Sequence, residues 1–276
     1  TMKHVVAGPN IGFICSSTWT TPNRFSVGVS RLMVEMKTGT HDRGTTLFPL
    51  YRYETLLGRK AEQVHNFTSE FVKEWCATTH TRFIPIGHGD GEKTTGPEDV
   101  LFWLYGLFYS PEYRRRYRAA LSQRFPIVLF TSNLELFRAL ARLGGELVAL
   151  HLLESPRLDQ PITEFIGINR EVAKVGYADG TVWIDAGGTK KATSAGTSGF
   201  RGVPEDVWNF HIGGYQVCEK WLKDRKGRTL SADDIAHYHK IVVALSETIR
   251  LMAEIDRVID DHGGWPGAFQ TAGTAA

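Results

Sequence analysis

Nine apolar side chains, Ile235, Tyr238, Ile241, Val242, Leu245, Ile249, Met252, Ile255 and Ile259, recur every three or four positions. That spacing places them on one face of a helix. At 1.5 Å per residue the stripe is roughly 37 Å long, and a helix of that length is not held by its own backbone in water. The rest of the chain must therefore supply surfaces that cover it. Ser231 and Asp234 make a capping signal at its start, and the stripe runs to about His262.

Other segments show which surfaces are on offer. Pro97 to Tyr109 opens with proline in the first turn, followed by Glu98 and Asp99 where the helix dipole favours acids. Ser110-Pro111-Glu112 opens a further helix in the same way. Its Tyr113 and Tyr117 share one face and Arg114 and Arg118 a neighbouring one. Thr68 to Cys76 reads as a short helix. Ser132 with Glu135 reads as a capping box for a long helix carrying Leu136, Leu140, Leu143, Leu147 and Leu150. Gly213 to Lys226 reads as helical, stopped by Gly227.

Strand signals occupy the beginning and the middle. Short apolar runs at Asn10 to Ser17, Phe25 to Val29 and Leu32 to Met36 alternate with turn formers, and Phe48 to Tyr53 stays extended because Pro49 excludes a helix interior. Glu171 to Tyr177 and Thr181 to Ile184 flank Asp179-Gly180, a pair suited to the positive φ angles of a tight hairpin. The tract from Gly187 to Gly199 reads as a mobile loop. The fold class expected is α+β: short strands at the N-terminus and a mid-chain hairpin, combined with a helical bundle ending in a long C-terminal helix.

Composition narrows the function. The net charge of +2 is too small to mark a nucleic-acid binder, but charge is unevenly placed. Residues 18 to 60 hold seven basic side chains against three acidic ones, whereas 231 to 262 hold three against seven. No apolar run reaches membrane-spanning length and no signal-peptide pattern opens the chain, so a cytoplasmic location without a membrane partner is expected. Cys15, Cys76 and Cys218 are too scattered for a disulfide framework or a metal knuckle and read as reduced core residues. A start at Thr1-Met2, leading into a strand, is expected of a piece of a longer polypeptide.

Catalytic constellations are missing: no Gly-x-Ser-x-Gly elbow, His-Glu-x-x-His, phosphate loop or Asn/Asp-Pro-Pro-Tyr occurs. Gly87-His88-Gly89-Asp90-Gly91 is the one stretch that suggests a ligand loop, and a small transferase or hydrolase using His88 and Asp90 there is one alternative reading. His237 and His239 sit about 200° apart around a helix, so they do not share a metal. His41, His80 and His88 read as solvated loop histidines. The Arg114 to Arg118 cluster reads as a solvated helix face, with phosphate contact as its alternative.

Several segments together resemble the C-terminal specificity domain of Type ISP restriction-modification enzymes. They are Asn10 to Ile14, Leu47 to Tyr51, Tyr105 to Arg114, Phe137 to Glu154, Val207-Trp208, Gly214 to Val217 leading into Lys220 to Arg228, and Ile249 to Met252. The resemblance implies a non-catalytic domain over 1–264, β-rich in 1–60, helical in 66–156, hairpin and loop in 161–200 and helical again in 203–264, with a flexible tail 265–276. It implies double-stranded DNA as a partner, beside methyltransferase and helicase-nuclease domains of the same parent chain. S-adenosylmethionine, ATP and Mg would then belong to the parent, and no cofactor or metal to this part.

Base discrimination needs polar side chains at a groove edge, and phosphate contacts need cations. The early loops offer Thr18, Trp19, Thr20, Asn23 and Arg24, then Lys37, Thr38, His41 and Arg43, with Trp19 as a stacking or wedge residue; Lys190 and Lys191 add cations in the glycine-rich tract. A scaffold that only packs domains together is the other alternative, which the aromatic motifs would also serve.

Overall fold

Alternation in the first part of the chain becomes short antiparallel strands. The computed structural model describes residues 3–19, 26–34, 44–54, 62–189 and 193–269. A one-turn helix, α1 (Lys3–Val6), which the sequence did not suggest, precedes the expected opening strand. Strands β1 (Gly12–Ser16), β2 (Val27–Ser30) and β3 (Thr45–Pro49) form a sheet in the order β2-β1-β3. Of the strand expected from Leu32 to Met36, residues 32–34 are irregular, with Leu32 76% and Met33 61% exposed, and residues 35 and 36 lie outside the described residues. Beyond the break at Leu50, β4 (Tyr51–Glu54) pairs with β5 (Glu62–His65), a strand the sequence did not suggest.

Helices follow. Thr68 caps α2 (Ser69–Thr79) by accepting from the Phe71 N–H at 3.2 Å. Strands β6 (Arg82–Phe83) and β7 (Thr94–Thr95) then make a short parallel pair. Next come α3 (Pro97–Tyr109), α4 (Pro111–Arg116), α5 (Arg118–Leu121) and α6 (Leu134–His151). The cap of α6 is Asn133 and not Ser132: the Asn133 Oδ1 accepts the Glu135 and Leu136 amides at 3.0 and 3.2 Å.

Packing of α3 on α6 depends on two glycines. A methyl on Gly106 would stand 2.8 Å from the Leu140 carbonyl oxygen, and one on Gly144 would overlap the Phe102 carbonyl oxygen. Bare backbone at both positions lets the helices touch. Around that contact Trp103, Tyr105, Leu107, Leu136, Phe137, Leu140, Leu143 and Leu147 are essentially fully buried. Each such side chain contributes about 1.5–3 kcal/mol by leaving water, before the cost of ordering it.

By its contacts the chain divides into two units, residues 1–152 with 251–276, and residues 153–250. The second contains β8 (Glu164–Ile166), β9 (Gly176–Ala178), β10 (Thr181–Trp183), β11 (Gly187–Gly188), β12 (Thr193–Ser194) and β13 (Gly199–Arg201). The order β8-β13-β10-β9 makes one antiparallel sheet, and β11 pairs with β12. The hairpin turn forms at Asp179 and Gly180, with φ of 52° and 69°. The described part of the glycine-rich tract is tied down. The Asp185 carboxylate accepts the Thr197 and Ser198 amides at 3.0–3.1 Å and the Thr197 hydroxyl at 2.5 Å.

Helix α7 (Glu205–Trp208) leads to a small hairpin, β14 (His211–Ile212) and β15 (Tyr215–Gln216), where helix had been expected from Gly213. The tight turn at Gly213, φ 61°, uses a conformation that glycine adopts without strain. Helix α8 (Val217–Lys223) and the long α9 (Ala232–Asp261) complete the chain. The apolar stripe of α9 is divided between two cores. Tyr238, Val242 and Leu245 pack with Val182, Ile184, Phe200, Cys218 and Leu222 in the second unit, while Leu251, Ile255 and Ile259 are buried as part of the first. Among the described residues no helix is long and apolar enough to cross a membrane.

Candidate nucleic-acid interface

The three-stranded sheet of the first unit gathers both roots of the first early loop and the returning root of the second at one end. Ser16 stands opposite Thr45 in the register of β1 with β3, and its N–H donates to the Ser26 carbonyl at 3.2 Å. The chain therefore leaves the sheet after Ser16, returns at Ser26, and returns again at Thr45, all at the same edge. Of the residues expected to read DNA, Thr20, Asn23, Arg24, Lys37, Thr38, His41 and Arg43 lie outside the described residues, as do Lys190 and Lys191 of the second unit.

Thr18 is half-buried, and its carbonyl accepts from the Ser16 hydroxyl at 3.2 Å. Trp19 corrects its expectation. It is only 3% exposed, its ring meets the edge of Phe108 at 6.2 Å, and its backbone N–H donates to the Leu121 carbonyl at 2.6 Å. A wedge must project; this indole is instead a core anchor at the base of the loop.

The arginine cluster is the solvated face expected at Arg115, Arg116 and Arg118, but not at Arg114. Arg114 is 4% exposed, its guanidinium donating to the Tyr109 carbonyl at 3.3 Å beside the Met252 sulfur. Burial pulls its pKa down to about 10 against the opposing pull of Tyr109 and Asp256. Neither solvent nor phosphate reaches it. Arg115 and Arg116 both pair with Glu112, at 2.7 and 2.6 Å, while Arg118 is exposed on α5.

The stretch 87–91 is closed by its own hydrogen bonds. Gly87 N–H donates to the Tyr51 hydroxyl at 2.9 Å, and Gly89 and Gly96 N–H both donate to Asp99 Oδ2 at 2.7 Å. Asp90 Oδ1 accepts the Glu92, Lys93 and Thr94 amides at 2.8–2.9 Å, which hold its carboxyl far below the usual range. The amides that a phosphate would need are committed, and Asp90, as a weak base, is unsuited to proton transfer near neutral pH. His88 is exposed, its Nδ1 lying 3.4 Å from the Gly89 carbonyl oxygen.

An apolar cavity of about 430 Å³ in the first unit is lined by Phe13, Cys15, Phe48, Phe67, Phe108 and Phe125 among others. Its one reactive group, the Cys15 thiol, is pushed up to about 12 by burial, so it is no nucleophile. His237 stacks on Trp221 while His239 meets the Thr163 hydroxyl at 2.7 Å, so the two face different neighbours. Among the described residues no group of three or more His, Cys, Asp or Glu is placed to hold a metal ion.

The second unit contains a polar cleft of about 580 Å³ that sequence reasoning missed. Lys174, Lys223 and Lys226 line it with Thr189, Asn209, Gln216, Glu205 and Glu219, over the stacked rings of Tyr177 and Trp208, 5.4 Å apart. Lys223 pairs with Glu219 at 2.8 Å, and Lys174 Nζ donates to the Gly187 and Gly188 carbonyls at 3.2 and 2.5 Å. Beside it, two segments are laced together: Val172 N–H to Arg228 O at 3.0 Å, Leu230 N–H to Arg170 O at 2.9 Å and Gly227 N–H to Val172 O at 2.8 Å. The available signal was the run from Lys220 to Arg228, with five basic residues against Asp224. Only pairing with residues 170–174 turns that run into a surface.

Comparison with known proteins gives a consistent result. A family profile described as "Type ISP C-terminal specificity domain" matches residues 1–254. No curated protein sequence is significantly similar. Among solved structures, the ATP-dependent Type ISP restriction-modification enzyme LlaBIII bound to DNA aligns with TM-score 0.62 and 17% identity, over 90% of this chain and 16% of that one. A nuclease-deletion mutant of the Type ISP enzyme LlaGI in complex with a DNA substrate mimic gives 0.57 and 16%, over 89% and 18%. The DrdV-DNA complex gives 0.64 and 19%, over 90% and 25%. The chain thus spans a quarter or less of each of these proteins, with which it shares its fold.

Proposed function

We propose, because the chain belongs to the family of Type ISP C-terminal specificity domains, that it is the DNA target-recognition module of a restriction-modification enzyme. The single observation that carries this reading is the match over residues 1–254, almost the full length of the chain. In this reading the module docks on duplex DNA and discriminates base edges. Methylation, translocation and cleavage, with S-adenosylmethionine, ATP and Mg, belong to methyltransferase and helicase-nuclease domains of a longer cytoplasmic parent.

Physical features agree with a binding role. Residues 18–60 carry an excess of cations, and the residues of that region expected to read DNA are of the types that hydrogen-bond to bases and phosphates. The rival enzyme site at 87–91 has its hydrogen-bonding groups already used.

The test is fluorescence anisotropy of this chain with a short duplex from about 50 to 200 mM salt, over which affinity should fall steeply as counterions are released. Salt-independent affinity, or none at any salt, overturns the reading. Footprinting of the parent with and without this domain separates recognition from simple domain packing: an unchanged footprint supports the scaffold.

A further inference from the structure

We propose that the laced segments 170–174 and 226–228 of the second unit form a phosphodiester-binding face, presenting Arg170, Lys174, Lys226 and Arg228 to the backbone of duplex DNA. The inference rests on the DNA-recognition reading above and adds a surface to it.

Most of the described cations of this unit are paired with carboxylates. Arg157 pairs with Glu247, Arg201 with Glu164, Lys220 with Asp224, Lys223 with Glu219, Arg225 with Asp234, Lys240 with Asp159 and Arg250 with Glu247. Arg170, Lys226 and Arg228 are exposed and have no carboxylate partner among the described residues. Paired charges largely cancel at a distance, so the potential close to this edge is set by the unpaired groups that sit there. These three come from two stretches far apart in sequence and are brought together by the same backbone hydrogen bonds.

The platform beneath them is rigid. Val172 and Leu230 are buried in the core on either strand of the lacing. The turn between α8 and Arg228 is fixed by Gly227 at φ 76° and by Arg225, whose guanidinium lies 3.5 Å over the Trp221 ring and pairs with Asp234 at 3.2 Å. Cations near the end of α8 would also favour its dipole, which accounts for Lys223 and Lys226. It does not account for Arg170, on another segment, or for Arg228, beyond the glycine turn. Lys174 extends the row to the cleft wall. Glu171 and Glu205 are the nearby counter-charges, and Glu219 is already neutralised. Arginine forks match phosphate oxygens and lysine acts as a point charge, so this set suits a polyanion.

The test compares two variants of this chain that lose equal charge: R170Q/K226Q/R228Q, and the control R157Q/R201Q/K240Q from the paired set. Thermal unfolding first establishes that both are folded; should the triple variant fail to fold, the three single substitutions are measured instead. Three lost phosphate contacts should lower the slope of log K against log salt by up to about 2.7 and weaken binding at least about tenfold near 100 mM salt. The loss should be equal for cognate and unrelated duplexes, and the control should stay within about twofold of wild type. Wild-type binding by the first variant, or equal loss in the control, overturns this inference alone. A wild-type chain that binds no duplex overturns it together with the recognition reading.

Discussion

The Ser110 hydroxyl donates a hydrogen bond to the Asp256 carboxylate, joining residues 146 positions apart. The second carboxylate oxygen accepts the Glu112 N–H at 3.1 Å, and Ser110 Oγ in turn accepts the Tyr113 N–H at 3.0 Å. One aspartate thus holds the junction at which α3 ends and α4 begins. Burial raises its pKa, and Ser110, Glu112 N–H and Arg114 oppose that rise.

Replacing Asp256 by alanine leaves the buried Arg114 without its nearest counter-charge and exposes two donors to loss of their partner. Urea unfolding should show a loss of about 2–4 kcal/mol, larger than the roughly 1 kcal/mol expected for Ser110→Ala. Equal midpoints for both variants and wild type would remove the junction from the account of stability.

Gly144→Ala should be among the most damaging small changes in the chain. The added methyl meets the Phe102 carbonyl of the facing helix, which cannot move without displacing α3. Overpacking of this kind costs about 1–3 kcal/mol. Gly267→Ala, where nothing stands within 4 Å, is the matched control and should leave the melting temperature nearly unchanged.

His151 gives stability a defined pH dependence. Burial lowers its pKa to about 4, and the Tyr105 hydroxyl lies 2.6 Å from its Nδ1. Between its ordinary value of 6.5 and about 4 the unfolded chain takes up a proton that the folded chain refuses. Stability therefore falls as pH drops through that window, by up to about 1.4 kcal/mol per pH unit from this group. Denaturation curves at pH 7 and 4.5 for wild type and His151→Gln should differ in slope; parallel curves would refute the assignment.

Trp19→Ala separates packing from DNA contact. A buried indole removed from beside Phe108 should cost about 3–5 kcal/mol of stability. Loss of DNA affinity without loss of stability would return Trp19 to the interface.

In the longer parent proposed above, neutralising Arg24, Lys37 and Arg43 together should weaken DNA binding, measured by duplex anisotropy, while the S-adenosylmethionine binding proposed for that parent is retained on titration. Normal DNA affinity in this variant would leave the second unit's cationic face as the principal contact.

Local chemistry made several features legible. The stripes of α6 and α9 follow from spacing, the start of α3 from Pro97, Glu98 and Asp99, and the Asp179-Gly180 turn from the φ angles those residues tolerate. Other features had two locally equivalent solutions. Ser132 and Asn133 are both good caps, and the sequence does not say which one the helix end will use. Gly213 to Lys226 had helical character, yet the glycine turn and the Gln216 amide, donating to the Trp208 carbonyl at 2.5 Å, fixed a hairpin before α8.

The sequence by itself determined that α3, α6 and α9 would be helices, where the tight turn would fall, and, through a set of ordered motifs, which family the chain would resemble. Tertiary structure alone decided which cations are available. Arg114 and Arg228 look alike in a linear reading, but residues 252 and 256 bury the one, and residues 170–172 hold the other at the surface. Charge acts through space, and its screening depends on neighbours distant in sequence, so a binding face built from two separated segments has no signature in either one.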